Sequence, residues 1–292
     1  MHAALVSLAL CLLAADGHLD ANSVYRELLD AGVTLAEGVV IELPAPTMGD
    51  GLDRQAQEQV LAEVAGVAYP VAQLTRKSVV APQILRLEEL THPEAPGRRV
   101  DVYFVAYGDL ERMTSREFLD RLWGSESQDE DVAAEGQSLV AEELAERGLE
   151  LAPADQEHER WAHGSYTLLK RVEVHGTLHS RWSRTADSLV VAARLDPRFE
   201  ADAEFPNLWR PLVRSNEGQV TLGPTEPYRG MAMYMKLTPL AEPAGAVFVE
   251  AHLVFGEPHG WFDGANLLGS KLPAIVQSRV RALRRELLTT AE

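Results

Sequence analysis

Glu250 and His252 alternate along one stretch of extended pattern, so they share a strand face, and Tyr234 and Lys236 fall on the corresponding face of the neighbouring strand. Carboxylate, imidazole and phenol are the usual participants in proton transfer, so an acid–base reaction would draw on these residues. The plainer alternative is the solvated outer face of a sheet, and that is the reading adopted. On it, Glu250 and His252 are not catalytic, and an alanine at either position costs less than ~0.5 kcal/mol. No catalytic residue is assigned.

Other chemistry is harder to build. The segment Asp155–His163, DQEHERWAH, invites a zinc reading, but its histidines are five apart. A zinc helix needs His-Glu-x-x-His, which sets both imidazoles on one face. A polar surface loop fits 155–163 better. His175 and His179 share a strand face but would sit about 13 Å apart along it, too far for one ion without further ligands. The only cysteine is Cys11. There is no Gly-x-Ser-x-Gly elbow, phosphate loop or dinucleotide fingerprint, so no cofactor and no metal is expected.

The apolar pattern is more informative. Met231, Met233 and Met235 alternate along one strand face, with Val247, Val249, Ala251, Leu253 and Phe255 as candidate partners. Methionine is flexible and polarizable and suits a pocket that accepts varied apolar ligands, although the same row also serves as a core stripe. On the last helix Leu272, Ile275, Val276, Val280, Leu283 and Leu287 recur on one face, and Arg279 lies inside that stripe. A charge there must be paired or must extend its head to water. It is either a structural ion pair, with Glu250 or Glu286, or an anchor for an acidic headgroup. The candidate ligand-binding set is therefore Met231, Met233, Met235, Leu272, Val276, Arg279 and Leu283.

The elements that position these residues follow from period and punctuation. Asn22 or Ser23 caps a helix at 24–30, Val33–Leu43 reads as a strand, and Asp53–Ala65 as a helix. Val79–Leu90 and Arg99–Tyr107 read as a hairpin. Helices are expected at 115–123 and 137–147, with an acidic flexible insertion around 124–136 between them. Strands follow at 166–175, 177–184 and 188–195, then a long irregular stretch, 196–228. A second hairpin spans 229–237 and 246–255. Pro273 suits the first position of the final helix, where its missing N–H costs nothing.

Composition sets outer bounds. Lys and Arg number 27 against 44 Asp and Glu, a net charge of −17, which repels phosphate backbones and anionic membranes. Nucleic acid is therefore not an expected partner. The apolar run Ala3–Ala15 has the length of a secretory h-region and is too short to span a bilayer, which needs about 20 residues. Residues 1–17 are expected to be a signal peptide cleaved near Ala15–Gly17, with secretion or residence in the periplasm or envelope. The n-region carries no Lys or Arg, so an apolar N-terminal helix is the alternative.

This order of elements, closing on GWFDGANLLGSKLPAIVQSRVRALRRE, resembles the START-like helix-grip superfamily over roughly Asn22–Leu288. The resemblance implies an α+β fold in residues 18–292, with a curved antiparallel sheet wrapped around a long C-terminal helix and extra helices in the N-terminal half. It also implies a cavity between sheet and helix that holds a lipid-like molecule, with 196–228 covering the cavity mouth. The expected function is a secreted, non-catalytic binding protein for an apolar or amphipathic small molecule. The alternatives are an enzyme on the same fold using Glu250, His252 and Tyr234, or an envelope protein-interaction module with a solid core.

Overall fold

The computed structural model describes residues 17–113, 115, 132–149, 151, 158–214, 219–259, 261–262 and 267–289. Residues 1–16 of the expected signal segment 1–17, 116–123 of the helix expected at 115–123, and 124–131 of the acidic insertion lie outside that set.

The chain begins with helices α1 (Gly17–Ala21) and α2 (Ser23–Asp30), strands β1 (Val33–Ala36) and β2 (Val39–Ile41), and helices α3 (Arg54–Ala65) and α4 (Val71–Leu74). Strands β3 (Gln83–Leu90) and β4 (Gly97–Tyr107), helix α5 (Leu110–Met113), strand β5 (Val132–Ser138) and helix α6 (Ala141–Ala145) follow. Next come β6 (Glu159–Leu168), β7 (Val172–Arg184), β8 (Leu189–Leu195), β9 (Leu208–Arg214), β10 (Val220–Leu222) and β11 (Glu226–Pro227). Strands β12 (Met231–Pro239) and β13 (Ala246–Gly256) and the long helix α7 (Leu267–Thr289) complete the chain.

Capping accounts for the early helices. Asn22 accepts a hydrogen bond from the Tyr25 amide and Asp53 one from the Ala56 amide, each satisfying a donor that the helix itself leaves unpaired.

The result is a mixed α+β fold, mostly antiparallel sheet with one long C-terminal helix. Eleven strands form the main sheet, ordered β10-β9-β7-β8-β12-β13-β4-β3, with β6 and β5 branching from β7 and β11 from β9. The sheet is open, with β3 and β10 at its ends. Strand β7 is long enough to serve two neighbours on one edge: Val172–His175 pair with β9 and Leu178–Arg184 with β8. In the gap between them the Asn207 side chain accepts a hydrogen bond from the Thr177 amide at 2.7 Å.

The period-2 pattern distributes side chains to two covered faces. On one, Val100, Val102 and Phe104 of β4 and Val247, Val249 and Phe255 of β13 pack with Leu268, Val280 and Leu287 of α7. On the other, α1, α2, β1 and β2 cover β8, β12 and β13, with Val24, Tyr25 and Leu28 against Ala192, Ala232 and Tyr234. Farther along that face, Met48 and α3 and α4 cover Tyr103, Val105 and Phe248.

Several expectations are corrected. Val33–Leu43 is a hairpin rather than one strand, because Gly38 takes a positive φ of 75° and turns the chain. The end of the acidic insertion is strand β5, whose Gly136–Ser138 pair with Ala162–Gly164, so no helix starts at Gln137 and α6 is short. From Glu159 on, the loop expected at 155–163 is instead the start of β6, with Trp161 buried, and 155–157 lie outside the described residues. The 166–175 strand is broken by a turn in which Leu169 and Lys170 adopt positive φ. The irregular stretch 196–228 contributes β9, β10 and β11 to the sheet. Pro273 lies inside α7, which starts earlier, at Leu267. The misses in the sheet share a cause at β5, β6 and β9–β11, since cross-strand partners and burial decide states that local pattern leaves open.

Candidate functional site: an apolar cavity beside the last helix

Between the sheet and the first turns of α7 lies a cavity of about 190 Å³. Its sheet side is formed by Val174, Met231, Leu253 and Phe255, and its helix side by Leu268, Leu272 and Ile275. Tyr166, Leu168 and Leu169 close one end, Tyr228 and Trp261 another. The aromatic end is a cluster of rings set at angles: Trp261 lies 5.6 Å from Tyr228, tilted, and 6.1 Å from Trp209, edge to face, centroid to centroid. Rings at that spacing pack favourably and hold one another's orientation.

Two polar groups are buried at the aromatic end. The Tyr228 hydroxyl donates to the Gly256 carbonyl at 3.2 Å, and burial pushes its pKa well above the ordinary phenol range. Trp261 is only 3% exposed, and its indole Nε1 has no hydrogen-bond partner among the described residues. A buried N–H without an acceptor costs free energy, and this one is enclosed in the protein rather than open to the cavity.

Of the residues singled out from sequence, Met231 and Leu272 line the cavity. Met235 is buried in the main core, with Val276 and Leu283 packed against it. Met233 is half-buried in β12, opposite Leu253. Arg279 is half-buried on α7 and does not line the cavity.

The charge that α7 does bury is Arg284, 2% exposed, which donates from Nε to Val105 O at 2.9 Å, from Nη1 to Ala81 O at 2.5 Å and from Nη2 to Pro82 O at 2.9 Å. Burial, with Arg281 nearby, lowers its pKa to about 10. Its position was available in the pattern: four residues after Val280 and three before Leu287, it shares their stripe. Tyr228 and Trp261 gave a weaker signal, as lone aromatics in irregular stretches.

The Glu250, His252, Tyr234 and Lys236 cluster is not solvated. Glu250 and His252 are 0% exposed and Lys236 2%, because residues 44–50 lie across them. Glu250 accepts hydrogen bonds from the amides of Thr47 (2.7 Å) and Met48 (3.1 Å), and Tyr234 donates to Pro44 O at 2.6 Å. Lys236 pairs with Asp50 at 2.7 Å, and Asp50 also accepts from Ser188 at 2.6 Å and Thr185 at 2.8 Å. His18, itself fully buried, spans Ser183 and Ser188 at 2.8 Å each. The expectation of a near-neutral Glu250→Ala is therefore wrong: the change strips an acceptor from two backbone amides.

Burial drives the Asp50 carboxyl upward, but its hydrogen bonds from Lys236, Ser188 and Thr185 outweigh that and hold it below the ordinary value. Burial likewise drives His252 downward. The hydrogen bond to Asp101 at 2.8 Å and the Glu250 carboxylate at 3.6 Å reverse the sign and raise it. Among the described residues, no group of three His, Cys, Asp or Glu side chains is placed to hold a metal ion. Among them, too, no helix is long and apolar enough to cross a membrane.

No family model and no curated protein sequence matches the chain. One similar solved structure is the crystal structure of CalU16 from Micromonospora echinospora, with a TM-score of 0.23 and 9% identity, covering 71% of this chain and 99% of that one. A likeness that low carries no argument about fold or function.

Proposed function

We propose that this chain is an exported, non-catalytic binding protein that holds a small apolar or amphipathic molecule between its sheet and last helix, in the helix-grip manner. The cavity beside α7 carries the reading, with an almost wholly apolar lining. At about 190 Å³ it is of the size that admits a single aromatic ring or a short chain, since an engineered apolar cavity of about 150 Å³ holds benzene. Export is supported by the apolar run Ala3–Ala15.

The enzyme reading loses support because Glu250 and Tyr234 hold the cover segment through their own hydrogen bonds and His252 is buried against Asp101. The solid-core reading loses support from the cavity itself. Titration with toluene, followed by calorimetry, tests the proposal. Toluene is expected to bind, and Leu272→Phe or Leu253→Phe, which fill the space, to weaken it at least about tenfold. Native protein that shows no toluene binding and carries no extractable small molecule overturns the binding role. N-terminal sequencing of protein from its native host tests export, with a start near Ala15–Gly17 expected and an intact Met1 in the cytosol against it.

A further inference from the structure

We propose that a second chamber adjoining this cavity receives the polar end of the same ligand, and that this end is an uncharged oxygen-bearing group. The inference rests on the binding reading above and narrows it to a chemical class: a short apolar body ending in a hydroxyl, carbonyl, ester or amide.

The chamber has a volume of about 370 Å³ and lies where β8 ends and β12 begins, beneath the β1–β2 hairpin. Tyr228 and Met231 line both spaces, so these two side chains are all that the two linings share. Methionine is the unbranched, adaptable side chain best suited to move aside for a chain threading past it. Gly230 brings the hairpin close. Its φ is 76°, and a Cβ there would come within 2.3 Å of Leu35 Cδ2 and 2.8 Å of Thr34 O. That approach sets Thr34 and Glu37 into the chamber wall.

The wall's charge decides the class of headgroup. Arg194 and Arg229 face Glu37 and Glu200, so the formal charges cancel. Arg229 is paired with Glu200, and Arg194 Nη2 with Glu27 at 2.8 Å. A carboxylate or phosphate entering here would have to compete with those glutamates for its cations and would meet the Glu37 and Glu200 charges. Arg194 also lines the chamber, and its Nε, enclosed in the wall, has no hydrogen-bond partner among the described residues. A neutral acceptor oxygen satisfies such a donor without adding a charge.

The test uses the full chain and three probes: toluene, 1-octanol and octanoate at neutral pH, measured by calorimetry. Octanol is expected to bind at least about tenfold more tightly than octanoate. Arg194→Met should weaken octanol about tenfold and leave toluene unchanged. Thr34→Trp, at an exposed position that does not risk the fold, should obstruct the chamber with the same selectivity. Glu37→Gln should narrow the penalty against octanoate.

Octanoate binding as tightly as octanol overturns the uncharged class. Toluene binding together with octanol affinity indifferent to both Arg194→Met and Thr34→Trp removes the chamber and leaves the cavity standing. Octanol binding that senses those variants without any toluene binding leaves the chamber and removes the cavity. Neither probe binding removes both.

Discussion

Toward α7 the main sheet presents valine, leucine, phenylalanine and methionine, whereas toward residues 17–81 the same strands present Glu250, His252, Tyr234, Lys236 and Asp101. Both faces are buried, but they are covered by different physics. Apolar packing is non-directional, so the helix face tolerates a gap at the cost of contacts alone, and a ligand can restore those contacts. Where the other face carries charge, it cannot leave a gap of that kind. Each of its charges needs a partner at a set distance, so Pro44, Thr47, Met48 and Asp50 are fixed in register by the residues they satisfy. Adaptability resides on the helix face and specificity of assembly on the cover face.

The largest effect should come from breaking the polar face. Asp50→Ala leaves Lys236 buried without its carboxylate and is expected to destabilise by about 3–5 kcal/mol in chemical denaturation. A loss under about 1 kcal/mol would mean that water reaches Lys236 and that the cover is loose. The apolar face is probed by α7. Leu287 is buried and packs near Gly108, so Leu287→Ala should cost about 2–5 kcal/mol. Leu283 is half-buried, and Leu283→Ala should cost clearly less. Equal losses at the two positions would contradict the way α7 is seated.

The smallest effect is one of pH and separates the faces without truncating a group. His252 has its folded pKa raised above the ordinary 6.5 by Asp101 and Glu250. Its contribution is therefore complete below the unfolded value and is lost as pH rises through the folded one, at about 1.4 kcal/mol per unit of separation. Asp50 behaves in the opposite sense: its folded pKa is depressed, so its contribution is present above the ordinary 3.8 and fades as pH falls through the folded value. Denaturation midpoints measured from pH 6 to 9 should decline in the native chain and flatten in His252→Gln. An unchanged slope in that variant would assign the decline to another group.

Several elements were legible because local chemistry specifies them. Asn22 and Asp53 cap where they stand, the two hairpins carry clean alternation, and the last helix shows its stripe. Part of the candidate site was legible too, since Met231 and Leu272 line the cavity. Arg279 was preferred over Arg284 because it sits between Ile275 and Leu283, yet α7 turns the Val280–Leu287 edge inward instead. Periodicity gives the width of an apolar stripe and not its midline when arginine stems can extend from its borders.

By itself the sequence determined a mixed α+β chain with strongly acidic charge, two long hairpins and a final amphipathic helix. These depend on spacing within a few residues of each other. Only the tertiary structure decided that the Glu250 face is buried, that β9 joins β7 beside β8, and that Tyr228 and Trp261 close a cavity. Alternation places residues on opposite faces without telling which face meets water. That is set by a segment some two hundred residues away, Thr47 and Met48 against Glu250, whose contacts leave no periodic trace.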